Sequence, residues 1–151
     1  MEFLDTEFLQ DKEIKLVVER VSEADPVKGW VPAYYFGIYD FNGNKMGFCD
    51  LRVGYSDGLY YGGHIGYTVN EEYRGHHYAC KACKLLFELA RKHGMDYLYI
   101  TCNPSNIPSR KTLERLGGKL IEVAELPEDN DMRVHDGQTH VCVFKFRFNQ
   151  I

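Results

Sequence analysis

Residues 64–94 read HIGYTVNEEYRGHHYACKACKLLFELARKHG. The stretch begins as a strand, passes through a turn that contains Gly75, and continues as a helix that ends at Gly94. Along its second half, apolar residues recur every three or four positions, and charged residues occupy the positions between them. This spacing predicts an amphipathic helix from Ala79 to Gly94, with basic residues in its last turn.

The turn before this helix predicts an anion site. The N–H groups in the first turn of a helix have no partner within the helix, and the helix dipole adds positive charge there. Phosphate groups bind at such helix ends. Gly75 permits a positive φ, and Arg74 places a fixed positive charge beside the turn. Because glycine is common in strand–helix turns, an ordinary connection stays open as the alternative at this point.

Composition and charge narrow the classes of function. The chain has 151 residues, of which 44% are hydrophobic, and this predicts a single domain over residues 1–151. The 18 Lys and Arg against 22 Asp and Glu give a net charge of −4, which argues against nucleic acid or an anionic membrane as the main partner. Residues 1–5 are acidic and do not resemble a secretory signal, and no apolar run has the length of a membrane span. Five scattered cysteines predict reduced thiols in a cytoplasmic protein.

The rest of the chain predicts strands on both sides of the long helix. Strands are expected over 14–21, 33–40, 45–54, 63–69, 96–102, 119–124 and 139–148. A second, short helix is expected after Asn106, and residues 55–63 and 126–137 are expected to be loops.

The order of these elements predicts the fold class. The strands 63–69 and 96–102 flank the long helix, so we expect them to be parallel neighbours with a right-handed crossover. The predicted class is α/β (α+β), a mixed and mostly antiparallel sheet with a central parallel βαβ step flanked by helices.

Two motifs on these elements resemble those of the GNAT superfamily of N-acetyltransferases. Residues 74–79, RGHHYA, are similar to the family's acetyl-CoA loop, in which Arg or Gln is followed by two residues, Gly, one residue, and Gly or Ala. Residues 106–109, NIPS, resemble the second motif, Asn-x-x-Ser before a short helix that ends at glycine. The resemblance covers residues 33–148. His77 stands where the family has the central loop glycine, and Leu113 where some members carry a tyrosine general acid.

The resemblance implies the transfer of an acetyl group from acetyl-CoA directly to a primary amine of a small molecule or peptide. It assigns the diphosphate to the loop amides, the thioester to the strand before the loop, and the pantetheine arm to the second motif. A strand N–H can then polarise the thioester carbonyl. The implied cofactor-binding residues are Tyr67, Thr68, Val69, Arg74, Gly75, His76, His77, Tyr78, Ala79, Asn106 and Ser109.

The acceptor amine must lose a proton before it attacks, because alkylamines have a pKa of about 10.4. His64 is the predicted general base, since it lies on the strand that leads to the acetyl position, where family members often carry a carboxylate or histidine. A structural histidine on a sheet face is the alternative. Glu71 and Glu72 are fallback bases.

Three further questions stay open in the sequence. His76, Cys80 and Cys83 would share one helix face if the helix began early, which suits zinc or copper, but no fourth ligand is evident and no metal is predicted. The absent tyrosine donor leaves a non-catalytic acyl-CoA-binding domain as an alternative function. Dimers are common in the family, so a homodimer is also an expectation.

Overall fold

The computed structural model describes residues 1–151 as seven strands and four helices. The strands are β1 Lys15–Ser22, β2 Ala33–Tyr39, β3 Lys45–Arg52, β4 Ile65–Val69, β5 Tyr97–Cys102, β6 Lys119–Glu125 and β7 His140–Arg147. The helices are α1 Asp57–Gly62, α2 Tyr78–Lys92, α3 Ile107–Arg115 and α4 Asp131–Asp136. All seven predicted strands are present, with ends that differ from the prediction by at most two residues.

The strands form two antiparallel sheets. The first has the order β1-β2-β3-β4, and the second has the order β5-β7-β6. Local chemistry sets several of the boundaries. Gly43 has a φ of 87° in the turn between β2 and β3, and Gly94 has a φ of 81° just after α2. The Asn106 Oδ1 accepts a hydrogen bond from the Ser109 N–H at 3.2 Å and caps α3, as predicted.

Helix α2 holds the two sheets together through one shared core. Leu86 and Leu89 of α2 are fully buried in the same apolar cluster as Phe36 of the first sheet and Phe144 of the second. Buried apolar surface contributes roughly 25 cal/mol per Å² to stability, and it does not depend on the direction of contact. The two sheets can therefore stay together without a continuous hydrogen-bond ladder between them.

A smaller apolar cluster lies on the opposite face of the second sheet. Val141 and Val143 are buried there, and Tyr60, Tyr61 and Met132 pack against them. The sequence predicts loops over residues 55–63 and 126–137, but these segments contain the short helices α1 and α4. Each of these helices has only six residues, so neither is long enough to show a helical period in the sequence, and packing determines where they lie.

The predicted parallel pairing of β4 with β5 is not formed, although the mixed α+β class is confirmed. A single backbone hydrogen bond joins the two strands, from the His64 N–H to the Tyr99 carbonyl at 2.7 Å. In a parallel ladder the Tyr99 N–H would donate to a carbonyl of the neighbouring strand. Here it donates to the His64 Nδ1 at 3.0 Å, so a side chain takes the place of the next ladder bond.

The five cysteines are all free and buried.

None of the helices combines the length and apolar character needed to cross a bilayer.

Substituting Gly47 by alanine tests the close approach of β3 to β4. A Cβ at Gly47 would lie 2.1 Å from the Thr68 carbonyl oxygen, which is a backbone atom and cannot rotate away. We expect Gly47→Ala to lower the free energy of unfolding by about 2–3 kcal/mol in urea denaturation.

Gly58→Ala is the matched control, because a Cβ there would meet no atom within 4 Å and the residue lies in α1. It should leave stability unchanged or raise it slightly. An equal loss in the two variants would contradict the packing described for β3 and β4.

Candidate active site

The turn that opens α2 presents an unusual run of free backbone donors. No hydrogen bond within the chain is donated by the N–H groups of residues 75–80, and the first helical bond begins at the Lys81 N–H, which donates to the His77 carbonyl at 3.0 Å. A helix normally leaves about four N–H groups unpaired at its start. This turn adds the N–H groups of Gly75 and His76 to that set, and no side chain caps the helix.

Two residues of the turn have left-handed backbone conformations. Gly75 has a φ of 89°, as predicted from its sequence position, and a Cβ there would meet nothing within 4 Å. His77 has a φ of 62° and a ψ of 27°, and no other residue besides glycine has a positive φ. A side chain with a Cβ in this region costs about 1 kcal/mol. His77 thus adopts a backbone conformation that glycine would adopt without steric cost.

Arg74 is held beside the turn by a backbone contact. Its Nε donates to the Val69 carbonyl at 2.9 Å, and the chain gives its guanidinium no carboxylate partner. The terminal guanidinium nitrogens therefore remain available, next to the free amides, for a negatively charged group.

The edge of β4 that faces β5 is unpaired. In the register with β3, the Arg52 N–H donates to the His64 carbonyl and the Asn70 N–H donates to the Met46 carbonyl. Since alternate residues of an antiparallel pair face the neighbour, the peptide groups of Tyr67 and Val69 face away from β3. Those of Thr68 face β3, so Tyr67 and Val69 are the predicted thioester residues that offer free N–H groups.

The two predicted motifs meet through one side-chain contact. The Tyr67 hydroxyl of β4 lies 2.7 Å from the Ser109 Oγ at the start of α3. Burial raises the pKa of Tyr67 well above its ordinary value, while the bond to Ser109 acts in the opposite direction. The structure thus brings Ser109 into contact with a side chain of β4. The Asn106 side-chain oxygen is already used in capping α3, which leaves its amide nitrogen as a donor.

The predicted base His64 lies at the opposite end of β4 from the turn and is fully buried. Its Nδ1 accepts from the Tyr99 N–H, and its Nε2 therefore carries the proton and donates to the Gly54 carbonyl at 2.9 Å. Burial lowers the pKa of His64, and the charge of Arg52 acts in the same direction. Both ring nitrogens have partners, so His64 would have to release one of them before it could accept a proton. The fallback bases Glu71 and Glu72 are exposed in a short 3₁₀ turn, Glu71–Tyr73.

A cavity of about 560 Å³ lies next to His64 on the side of α1. The rings of Tyr55 and Tyr97 stack in it with centroids 4.7 Å apart, and Tyr60 and Tyr99 meet edge to face at 5.1 Å. Its lining residues are Tyr55, Ser56, Asp57, Tyr60, Tyr61, His64, Tyr97 and Tyr99. The wall on this side of the strands is therefore largely aromatic, and sequence reasoning did not find it because α1 was not predicted.

Asp50 of β3 is a further polar residue of the site that sequence reasoning missed. Its side chain is only 16% exposed, and its Oδ1 accepts from the Gly66 N–H at 3.0 Å and from the Arg52 Nη1 at 2.7 Å. Burial raises the pKa of Asp50, although Arg52 and the Gly66 N–H partly oppose the shift. The available signal was an acidic residue inside a strand that has neighbours on both sides.

The metal alternative has no support in the geometry. His76 is exposed before α2, whereas Cys80 and Cys83 are buried in the apolar core. No group of three or more His, Cys, Asp or Glu side chains lies close enough to hold a metal ion.

The N–H groups of Asn70, Tyr73 and Arg74 are bonded within the chain, so the free donors form two groups, one on the unpaired edge of β4 and one at the start of α2. This is the arrangement that the resemblance implies for an acyl-CoA-dependent transferase. A family model described as "Acetyltransferase (GNAT) domain" matches residues 5–119, which is more than half of the chain. The chain belongs to the GNAT acetyltransferase family, and the resemblance found in the sequence is confirmed.

Solved structures share the fold at low sequence identity. The microcin C7 self-immunity acetyltransferase MccE, in complex with acetyl-CoA and AMP, superposes with a TM-score of 0.61 at 18% identity over 77% of this chain and 61% of its own. The ribosomal-protein-S5-alanine acetyltransferase from Vibrio fischeri superposes with a TM-score of 0.60 at 20% identity, over 76% of this chain and 61% of its own. The ribosomal L7/L12 α-N-protein acetyltransferase RimL, in complex with coenzyme A, superposes with a TM-score of 0.61 at 19% identity, over 83% of this chain and 66% of its own.

The chain spans between 61% and 66% of the length of these three proteins. The comparison with curated proteins gave no match.

Substituting His77 by glycine tests the strain in the turn. Glycine adopts a positive φ without steric cost, so we expect His77→Gly to raise the free energy of unfolding by about 0.5–1 kcal/mol. In a thermal melt this corresponds to roughly 2–4 °C per kcal/mol.

His76→Gly is the control, because His76 is exposed and its φ is not positive. At residue 76 glycine only increases the conformational entropy of the unfolded chain, so the free energy of unfolding should fall by about 0.5–1 kcal/mol. Equal losses for the two glycine variants would show that the backbone at His77 is not strained.

Proposed function

We propose that this protein is an N-acetyltransferase that transfers the acetyl group of acetyl-CoA directly to a primary amine of a small molecule or peptide. Membership of the GNAT family and the free donors on the edge of β4 and at the start of α2 support this proposal. It extends the family assignment to a reaction, a co-substrate and a class of acceptor.

The free N–H groups of residues 75–80 are the observation that carries the proposal. Several N–H donors that converge on one diphosphate form charge-assisted hydrogen bonds with it, which are stronger than bonds between neutral groups. The positive end of the helix dipole also favours a negatively charged group at this position. Arg74, which directly precedes these residues, adds a guanidinium whose Nε is bonded to the Val69 carbonyl. We therefore assign the diphosphate of acetyl-CoA to residues 74–79.

The open edge of β4 supplies the next part of the site. The N–H groups of Tyr67 and Val69 face the space between β4 and β5, where an extended pantetheine arm can bond to them as a further strand would. A fixed N–H directed at the thioester oxygen stabilises the negative charge that develops there. Ser109, which contacts Tyr67, and the free amide nitrogen of Asn106 would bond the arm from α3.

A non-catalytic acyl-CoA-binding domain is the alternative function. It is favoured by Leu113, which stands at the position of the family's tyrosine donor and is fully buried in the core. The two functions differ in acceptor chemistry and not in the binding of acetyl-CoA, so binding and turnover need to be measured separately.

Acetyl-CoA should raise the melting temperature of the wild-type protein under both functions, because a ligand that binds only the folded state stabilises it. Arg74→Ala should weaken this binding about tenfold, since it removes a charge-assisted contact. Lys84→Ala, on the exposed face of α2, is the control and should bind like wild type. An unchanged melting temperature at saturating acetyl-CoA would contradict the proposed site.

Release of CoA across a panel of primary amines, followed with a thiol reagent, then separates the two functions. A transferase releases CoA in proportion to the amine, whereas a binding domain does not.

His64 remains the sequence-based prediction for the base, and His64→Ala tests it. We expect turnover to fall much more than the affinity for acetyl-CoA, because His64 is distant from the diphosphate end of β4 and joins β4 to β5. Turnover and acetyl-CoA binding should be measured from pH 6 to 9. Equal turnover in the variant and in wild type over that range would remove His64 from the mechanism.

We further infer that the protein acts in the cytoplasm and that its partners are amines and not nucleic acids or membranes. Five free, buried cysteines suit a reducing compartment, and the net charge of −4 suits a cationic acceptor. A homodimer stays a proposal that a measurement of mass in solution would test.

A further inference from the structure

Asp50 has the free lone pairs that His64 lacks. The Gly66 N–H and Arg52 both bond to its Oδ1, and its Oδ2 has no hydrogen-bond partner within the chain. The carboxylate is held by these two bonds on a central strand, so Oδ2 occupies a defined position. A proton acceptor of this kind needs no rearrangement before it acts.

The position of Oδ2 brings it to the strand that carries the proposed thioester site. A Cβ at Gly66 would lie 3.1 Å from Oδ2, so the carboxylate lies directly against Gly66. Gly66 directly precedes Tyr67, whose N–H faces the open edge of β4. The absence of a side chain at Gly66 therefore leaves room for the Asp50 carboxylate beside the residue that precedes Tyr67.

Asp50 also lies on the sheet face that is accessible to an acceptor. Its neighbours Cys49 and Leu51 are buried against α2, so Asp50 points to the opposite face. Phe48 on this face is 51% exposed, and Tyr35 lies directly across from Asp50 in the register of β2 with β3. An acceptor can thus reach Asp50 from one face while α2 and its turn hold the diphosphate at the far end of β4.

The charges around Asp50 favour its ionised form. Arg52 contacts it directly, and the guanidinium of Arg20 on β1 stacks on the Tyr35 ring at 3.6 Å and adds a more distant positive charge. From β4 it receives the Gly66 N–H, and burial lowers the pKa of the His64 imidazole, which disfavours a positive charge there. The raised pKa of Asp50 brings it nearer to the range in which a general base is effective.

We propose that the acceptor binds on the face of the first sheet opposite α2 as a protonated amine, and that the Oδ2 of Asp50 takes its proton. This inference rests on the proposed transferase function and names the proton acceptor and the face of entry for that reaction. His64 is then a positioning residue that joins β4 to β5.

The protons balance in this scheme. The ammonium group gives one proton to Asp50, which passes it to solvent, and the neutral nitrogen forms a bond to the acetyl carbon. The bond from that carbon to sulfur breaks, and the leaving thiolate takes the second proton that the nitrogen loses. The products are the N-acetyl amine, CoA thiol and one proton released to solvent.

Asp50→Asn tests this proposal, because asparagine keeps an oxygen that can accept from the Gly66 N–H but cannot take a proton. At pH 7 we expect kcat with an alkylamine acceptor to fall by about 10²-fold or more, with the KM for acetyl-CoA little changed. The rate of the variant should rise about tenfold per pH unit towards the pKa of the amine, since only neutral amine reacts. An acceptor whose pKa lies well below that of an alkylamine is already neutral and should lose little.

Glu88→Gln is the control, because Glu88 is an exposed carboxylate on α2, on the other side of the first sheet from the proposed acceptor face, and it should leave kcat unchanged. The acetyl-CoA-induced rise in melting temperature reports whether each variant is folded and binds the donor. If Asp50→Asn is unfolded, Arg52→Lys with the same pH profile replaces it, and a change in the acid limb of that profile is the expected result.

Each result separates this inference from the proposed function. If the Asp50→Asn variant has the same turnover rate and pH profile as wild type, the proposed role of Asp50 is overturned and the transferase function is unaffected. Alkaline rescue in His64→Gln, together with normal turnover in Asp50→Asn, would overturn it in favour of His64. Binding of acetyl-CoA without CoA release from any amine in wild type would overturn the transfer reaction and this inference together.

Discussion

Strands β4 and β5 of the two sheets are hydrogen-bonded to each other at one point, between His64 and the backbone of Tyr99. One backbone hydrogen bond and one imidazole bond join the strands at this point, and the residues beyond it have no ladder partner. A continuous ladder would use the same N–H groups of β4 that the proposed site needs. Because α2 already joins the sheets through an apolar core, the gap between β4 and β5 does not depend on hydrogen bonding for its stability.

The turn before α2 adds a second group of free donors to those on the open edge of β4. In β4 only alternate residues direct free N–H groups away from β3, as in any strand. In residues 75–80 every N–H group is free, as at the start of a helix. Left-handed conformations at Gly75 and His77 produce this change. A non-glycine residue in such a conformation is typical of functional turns, where the surrounding structure fixes the backbone shape.

Much of this architecture could be predicted from the sequence. The helical period of α2, the glycines at its two ends and the cap at Asn106 act locally, and the structure agrees with each of them. The short helices α1 and α4 could not be found, because they are defined by contacts with the second sheet and not by periodicity. The missing ladder between β4 and β5 depends on how the two sheets pack, and the bond from the Tyr99 N–H to the buried His64 ring is a contact that no pattern of residue types reveals.

The site residues divide in the same way. The residues of the turn follow from motif spacing, whereas the partners of His64 and the free oxygen of Asp50 depend on which strands become neighbours. His64 stood out in the sequence as a histidine on a strand, and the structure gives it two backbone partners. Asp50 did not stand out, because a single acidic residue in a strand usually faces solvent.

A crystal structure of the protein with acetyl-CoA tests the central claim most directly. We expect the diphosphate oxygens to lie within hydrogen-bond distance of N–H groups in residues 75–80, and the pantetheine arm to bond to the Tyr67 and Val69 peptides between β4 and β5. A complex in which the diphosphate binds elsewhere, or in which β4 and β5 close into a ladder, would contradict it.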